Sequence, residues 1–328
     1  MLFQFLSSFQ LQRVIMNTDR ACGCKSFNSC LLCEAEYGLS ATEPALERID
    51  VLEEERIFCP TCRHLRDPRT SHVCGQGERF PGIELYQNFI SAEEEHKLLA
   101  SLDNVPWDTS QSGRRKQNYG PKANFKKRKV KVGSFKGYPS FSRFIQDRFK
   151  TVPSLQDYKT VEQCSIEYRP ETGARIDPHI DDCWVWGERI VQLNLMSDST
   201  LTLLPLPKGD PFRYNLPDVK TYPKVMNEET NQVIFNPFQN DDWTNKPAFE
   251  LTSLADLKRV VRIPLPKRSL LVMYGGARYN WEHCILRRDI QARRIVIAYR
   301  ELTPTYLPNG PEQAIGSDIL AQAQNFFA

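Results

Sequence analysis

His179-Ile180-Asp181, together with the distant run Tyr279-Asn280-Trp281-Glu282-His283, supplies two imidazoles and one carboxylate. Gathered on one face of a metal ion, three such donors leave three positions open, which is the ligand set of a non-haem Fe(II) oxygenase. The single carboxylate lowers the charge of the dication while leaving room for a bidentate keto acid and then O2. A short strand beyond His283 come Arg294 and Arg300. Strand alternation puts both on one face, with Val296 and Ala298 between them. A planar guanidinium on such a face suits bidentate binding of a carboxylate, here the far one of 2-oxoglutarate. Tyr168 can donate a hydrogen bond to the same group. An H-x-D tripeptide alone arises often by chance. Only five histidines are present, and a competing account makes these two packed or surface residues, with Asp177-Pro178 and Asp181-Asp182 as turn chemistry. The position of both imidazoles beside expected strands favours the metal.

A second donor type is thiolate. Seven of the ten cysteines lie between Cys22 and Cys74, and no basic, apolar leader suggests secretion. Clustered thiols in a reducing compartment read as metal ligands before disulfides. Cys22-x-Cys24 with Cys30-x-x-Cys33 offers four sulfurs for tetrahedral zinc, an iron–sulfur cluster being the lesser reading. Cys59-x-x-Cys62 with His64, His72 and Cys74 offers five candidates for the four places of a second site. Cys164, Cys183 and Cys284 are expected as small core residues.

The elements that must position these groups are readable in outline. With 328 residues, 41% hydrophobic and 25% charged, the chain has room for one large catalytic domain and a small accessory one. No apolar run is long enough to span a membrane as a helix. Residues 1–19 are expected to be a disordered segment, 20–78 a cysteine-rich zinc-binding module, 79–303 the catalytic domain and 304–328 a helical tail. Ser91-Ala-Glu-Glu-Glu95 reads as a capped helix start leading into Leu98, Leu99 and Leu102. A second helix is expected around Ser140–Phe149. Short apolar runs at Arg189–Met196, Ser269–Tyr274 and Arg293–Arg300 read as strands. The Pro- and Asn-rich stretch 205–249 reads as an insertion. In the tail, Ile315, Ile319, Leu320 and Phe326 at helical spacing predict a closing helix. The fold class is therefore mainly β with flanking helices, a jelly-roll core plus a small N-terminal module.

At these residues the chain resembles the AlkB-type Fe(II)/2-oxoglutarate dioxygenases. The similarity is carried by EQCSIEYRPETGARIDPHIDDCW from Glu162, SLLVMYGGARYNWEHCI from Ser269 and Arg294–Arg300. Ser110–Lys122 and the cysteine spacing near residue 22 narrow it to the fourth AlkB-homologue subfamily. The resemblance implies a double-stranded β-helix, with His179, Asp181 and His283 as iron ligands and Arg294 and Arg300 as the arginines of the R-x-N-x-T-x-R co-substrate motif. That motif's central Asn and Thr are Val296 and Ala298 here, and the Asn of the N-x-Y element is Ile166.

Net charge is only +3, but Arg114–Lys131 holds nine Lys or Arg and no acid, interleaved with Tyr119 and Phe125. Such a run suits phosphate tracking with base stacking, although a solvated or nuclear-import patch has the same composition. The resemblance makes it the substrate flap, with Arg114, Arg115, Lys116, Tyr119 and Lys122 facing substrate. It further implies Fe(II), 2-oxoglutarate and O2 as cofactor and co-substrates, with structural zinc, and oxidative N-demethylation with release of formaldehyde. The substrate would be a lysine of an actin-like protein or N6-methyladenine in DNA. Actomyosin or chromatin-associated partners and a cytoplasmic and nuclear location are the matching expectations, with no membrane. The alternative is a non-catalytic protein that recruits partners through a zinc module and basic patch.

Overall fold

The computed structural model describes residues 20–25, 28–39, 43–207, 212–239, 248–254 and 257–328, so the expected disordered segment 1–19 lies outside the described residues. Eight strands carry the site: β1 (Glu162–Tyr168), β2 (Ile176–His179), β3 (Trp186–Leu195), β4 (Ser199–Pro205), β5 (Arg259–Leu265), β6 (Leu270–Met273), β7 (Trp281–Ile285) and β8 (Arg294–Leu302). The chain passes back and forth between two sheets. One has the order β6-β3-β8-β1, the other β2-β7-β4-β5. Every one of these pairings is antiparallel. Two facing four-stranded sheets wound in this way are the expected double-stranded β-helix.

Both faces of the first sheet are covered, so β6 and the middle of β8 carry apolar residues on both faces. On β8, Ile295, Ile297 and Tyr299 pack with Leu98, Leu102, Ile145 and Phe149 beneath the flanking helices, while Val296 belongs to the core between the sheets. The two arginines of that strand stand on its inward face as the exceptions. Helix Ala92–Asp103 starts as expected: the Ser91 hydroxyl accepts from Glu94 N–H at 3.1 Å and the Glu94 carboxylate accepts from Ser91 N–H at 2.8 Å. Helix Arg143–Arg148, flanked by 3-10 turns, fills the second predicted helical region.

Three expectations change. Residues 20–78 do not form a unit apart. Glu54–Phe58 pairs parallel with β5, and His64–Arg66 and Glu78–Arg79 continue outward, widening the second sheet to seven strands. The tail helix stops at Gln322, and Phe326–Phe327 forms a short parallel strand with Tyr138–Pro139. The Phe326 ring lies 5.6 Å from that of Tyr138, a contact that continued helix would forgo. The 205–249 stretch does connect β4 to β5, but it is not peripheral, since Leu216, Val219 and Phe249 pack on Ile180, Cys183 and Tyr279. Among the described residues no helix is long and apolar enough to cross a membrane.

Candidate iron and keto-acid site

His179 ends β2 directly opposite His283 on β7, and their ring centroids are 4.3 Å apart. Asp181 lies past the end of its strand, so alternation does not align it with His179. The chain leaves the strand at Ile180, whose side chain is buried against the 205–249 stretch, and the Asp181 carboxylate comes to 3.8 Å from His179 Nε2. One donor atom from each of His179, Asp181 and His283 lies within 4.8 Å of the others. Arg278, fully buried and not anticipated from the sequence, holds this segment by donating from Nη2 to the Asp181 carbonyl at 2.6 Å.

The protonation states suit a metal. His179 Nδ1 lies 2.9 Å from the Asp177 carbonyl, which can only accept, so Nδ1 carries the proton and Nε2 keeps its lone pair for a cation. Burial lowers the pKa of both imidazoles, His283 most strongly, which keeps them neutral and able to ligate. For Asp181, burial pushes upward, but the Arg300 guanidinium above all outweighs it and holds the carboxyl far below its usual range. Arg300 Nε and Nη2 each reach a different Asp181 oxygen at 3.1 Å, and its Nη1 bonds Glu162. Arg300 therefore serves the carboxylate ligand directly.

Arg294 is the most informative residue in the structure. It is buried between the sheets, its Nε donates to Asn194 Oδ1 at 2.6 Å, and it stands 4.9 Å from the ring of Tyr168, its register partner on β1. Its Nη1 and Nη2 have no hydrogen-bond partner among the described residues. An uncompensated buried guanidinium costs several kcal/mol, and a carboxylate presented edge-on would satisfy it. The donor set and this orphaned fork together fit Fe(II) and 2-oxoglutarate. In the register Val296 lies between Asn194 and Ile166, so Asn194 stands beside the two positions where the motifs lack an amide, a placement that only the strand pairing shows.

The basic stretch divides by strand parity. Strand Arg115–Tyr119 pairs with β1 so that Lys116 lies opposite Ile166 and Asn118 opposite Cys164, on the inward face. Arg115 and Tyr119 face the other way, contrary to the expectation that they meet substrate. Arg115 is bound to Glu167 and stacks 5.6 Å over Trp107, while Tyr119 packs on Phe327. Arg114 is close enough for its charge to act on His179, and Lys116 acts likewise on the Cys164 thiol. Lys122 is exposed on the hairpin Lys122–Asn124/Lys129–Lys131.

Cys22, Cys24, Cys30 and Cys33 converge within 4.8 Å, the last three fully buried. This closed four-thiolate set fits structural zinc, and it abuts the iron site. Arg175 donates from Nη1 to the Ser29 carbonyl and from Nε to Asp177, both at 3.0 Å, and Asp177 holds His179. On the other side the Gly113 N–H reaches the Cys24 sulfur. Gly113, at φ +73°, has no room for a Cβ against Thr172 and Cys30, so the loop that carries Arg114 is seated on the thiolates. Cys164, Cys183 and Cys284 are buried singly, as expected.

Fold and site together define an Fe(II)- and 2-oxoglutarate-dependent dioxygenase, using O2 as its second co-substrate. No family model matches the chain. The mouse protein "Alpha-ketoglutarate-dependent dioxygenase alkB homolog 4" is 37% identical over 311 residues, covering 93% of this chain and 94% of that protein. The human protein of the same name is 38% identical over 307 residues, covering 94% of each. A Caenorhabditis elegans "DNA N6-methyl adenine demethylase" is 30% identical over 320 residues, covering 90% and 91%. The chain belongs to the alkB homolog 4 family of α-ketoglutarate-dependent dioxygenases.

Proposed function

We propose that the protein oxidatively removes N-methyl groups from a nucleobase in DNA. His179, Asp181 and His283 would hold the iron, Arg294 with Tyr168 the far carboxylate of 2-oxoglutarate, and Arg300 would keep Asp181 ionised and aimed. Bound iron supplies the activation of O2. One oxygen atom enters the methyl C–H bond, while the other converts 2-oxoglutarate to succinate and CO2. The hydroxymethyl amine then collapses to formaldehyde and the free amine. The residues contribute donor geometry, co-substrate orientation and a site enclosed between two sheets.

The observation that carries the oxygenase reading is the unpartnered guanidinium fork of Arg294 in the same interior as the donor trio. The choice of nucleobase rests on charge. Arg114 and Lys116 lie near the site, and Lys126, Lys127, Lys129 and Lys131 are exposed on or beside the hairpin, an array that attracts phosphates and repels the cation of a methyl-lysine. The name of the C. elegans relative points the same way. An acidic, actin-like protein would also be attracted to the hairpin, so the test must compare both. Iron-loaded protein with 2-oxoglutarate and O2 is expected to release formaldehyde from N6-methyladenine DNA and not from methyl-lysine peptides. Release from the peptides alone would reverse the substrate assignment.

A further inference from the structure

The second cysteine group is resolved by geometry. Cys59-Pro60-Thr61-Cys62-Arg63 closes the hairpin between Glu54–Phe58 and His64–Arg66. Its turn is held by Cys59 N–H to the His64 carbonyl at 2.9 Å and Arg63 N–H to the Cys59 carbonyl at 2.8 Å, with Arg63 left-handed at φ +59°. The Gly75 and His64 N–H groups both point at the Cys62 sulfur, an arrangement that favours thiolate.

The loop after this hairpin returns His72 and Cys74 to the same point. His72 Nε2 lies 3.5 Å from Cys62 Sγ and 3.7 Å from Cys74 Sγ, and Cys59 Sγ lies 4.0 Å from Cys74 Sγ. Around a tetrahedral zinc with Zn–S of about 2.3 Å and Zn–N of about 2.0 Å, the edges are roughly 3.8 Å between sulfurs and 3.5 Å from nitrogen to sulfur. The three observed separations match those edges, and the sulfurs are far beyond disulfide bonding distance. His64, the fifth candidate, is turned away, with Nδ1 donating to the Cys62 carbonyl at 2.6 Å.

The surroundings show what an ion would do there. Between His64–Arg66 and Glu78–Arg79 the side chains are mostly exposed, including Val73, and residues 67–77 contribute nothing to the apolar clusters. Burial cannot hold such a loop, whereas four coordinate bonds can.

The geometry points to a second zinc ion bound by Cys59, Cys62, His72 and Cys74 as a closed Cys3His site, fastening the 67–77 loop over the outer edge of the second sheet. The site shares no residue with the Cys22–Cys33 set. It is also remote from the iron trio, because the His64–Arg66 strand stands five places from β2 in the sheet order, or about 24 Å at the usual strand spacing. Elemental analysis of the full chain, purified without added metal, is the direct test. Wild type is expected to hold two zinc ions per chain. His72→Ala should hold one, with faster proteolysis confined to 67–77, while His64→Ala should keep two. Cobalt substituted for zinc should give the strong visible bands of a thiolate-rich tetrahedral site at both centres in wild type and at one in His72→Ala. One zinc in wild type, or equal zinc in wild type and His72→Ala, would overturn the assignment. Loss from His64→Ala with retention in His72→Ala would overturn the ligand choice.

Discussion

The iron trio and the Cys22–Cys33 set stand at opposite ends of one short run of chain, residues 175–179, and differ in what they leave open. The trio offers three donors around a point, with a buried arginine fork unsatisfied nearby. The thiolates offer four donors and receive N–H groups from Cys30 and Gly113, which closes the set. An open set binds and turns over small molecules, and a closed one fixes shape. Because Arg175 and Asp177 join the two, the closed set's effect on chemistry is exerted through the position of His179 and of the Arg114 loop.

The sharpest way to break this distinction is at the open set. His179→Ala should abolish succinate formation while leaving the melting temperature within a few degrees of wild type. Turnover at the wild-type rate would show that the chemistry lies elsewhere. Arg294→Ala comes next. It removes the charge meant for the keto acid, and loss of such a buried charge pair costs about 3–5 kcal/mol. KM for 2-oxoglutarate should therefore rise at least about 100-fold, read by steady-state kinetics, whereas an unchanged KM would leave the orphaned fork unexplained. At the closed set, Cys30→Ser should lower kcat only by roughly tenfold, through misplacement of His179 and the Arg114 loop. The same variant should be cleaved faster within residues 20–39 in limited proteolysis. Full activity with a loosened segment would show that the two centres are not coupled.

A last effect lies away from both centres. Glu188 is buried, one oxygen accepting from Val225 N–H and the other unpartnered among the described residues. Burial raises its pKa from 4.5 to about 7. The folded state therefore keeps a proton that the unfolded chain releases, and the contribution of Glu188 to stability falls as pH rises across that window. Glu188→Gln cannot ionise. It should be more stable than wild type by about 3 kcal/mol at pH 8 and by less than about 1 kcal/mol at pH 5, as measured by denaturant unfolding. A pH-independent difference would contradict this.

Much of the site was legible in the sequence because it depends on residue type and on period-two alternation. His179, His283, Arg294, Arg300 and the capped helix at Ser91 are of this kind. What escaped depends on pairings between distant parts of the chain. The parallel pairing of Glu54–Phe58 with Arg259–Leu265 merges what looked like a separate module into the catalytic sheet, and local composition carries no trace of it. The faces of Arg115 and Tyr119 follow from their register with Glu167 and Gln163, which a run of basic residues does not encode. Asp181 is placed by the segment that follows β2 and by Arg278, not by strand alternation. Asn194 and Arg278 were missed because each acts through another residue. The choice of His72 over His64 needed the path of a loop with almost no apolar pattern.

The central claim is that His179, Asp181 and His283 converge on one iron and Arg294 seats its keto acid. Its most direct test is the absorption spectrum when Fe(II) and then 2-oxoglutarate are added without oxygen. The account predicts a visible charge-transfer band in wild type, no band in His179→Ala, and in Arg294→Ala a band only at far higher 2-oxoglutarate. A wild-type protein that binds both yet shows no band, or an Arg294→Ala protein that saturates at the wild-type concentration, would contradict it.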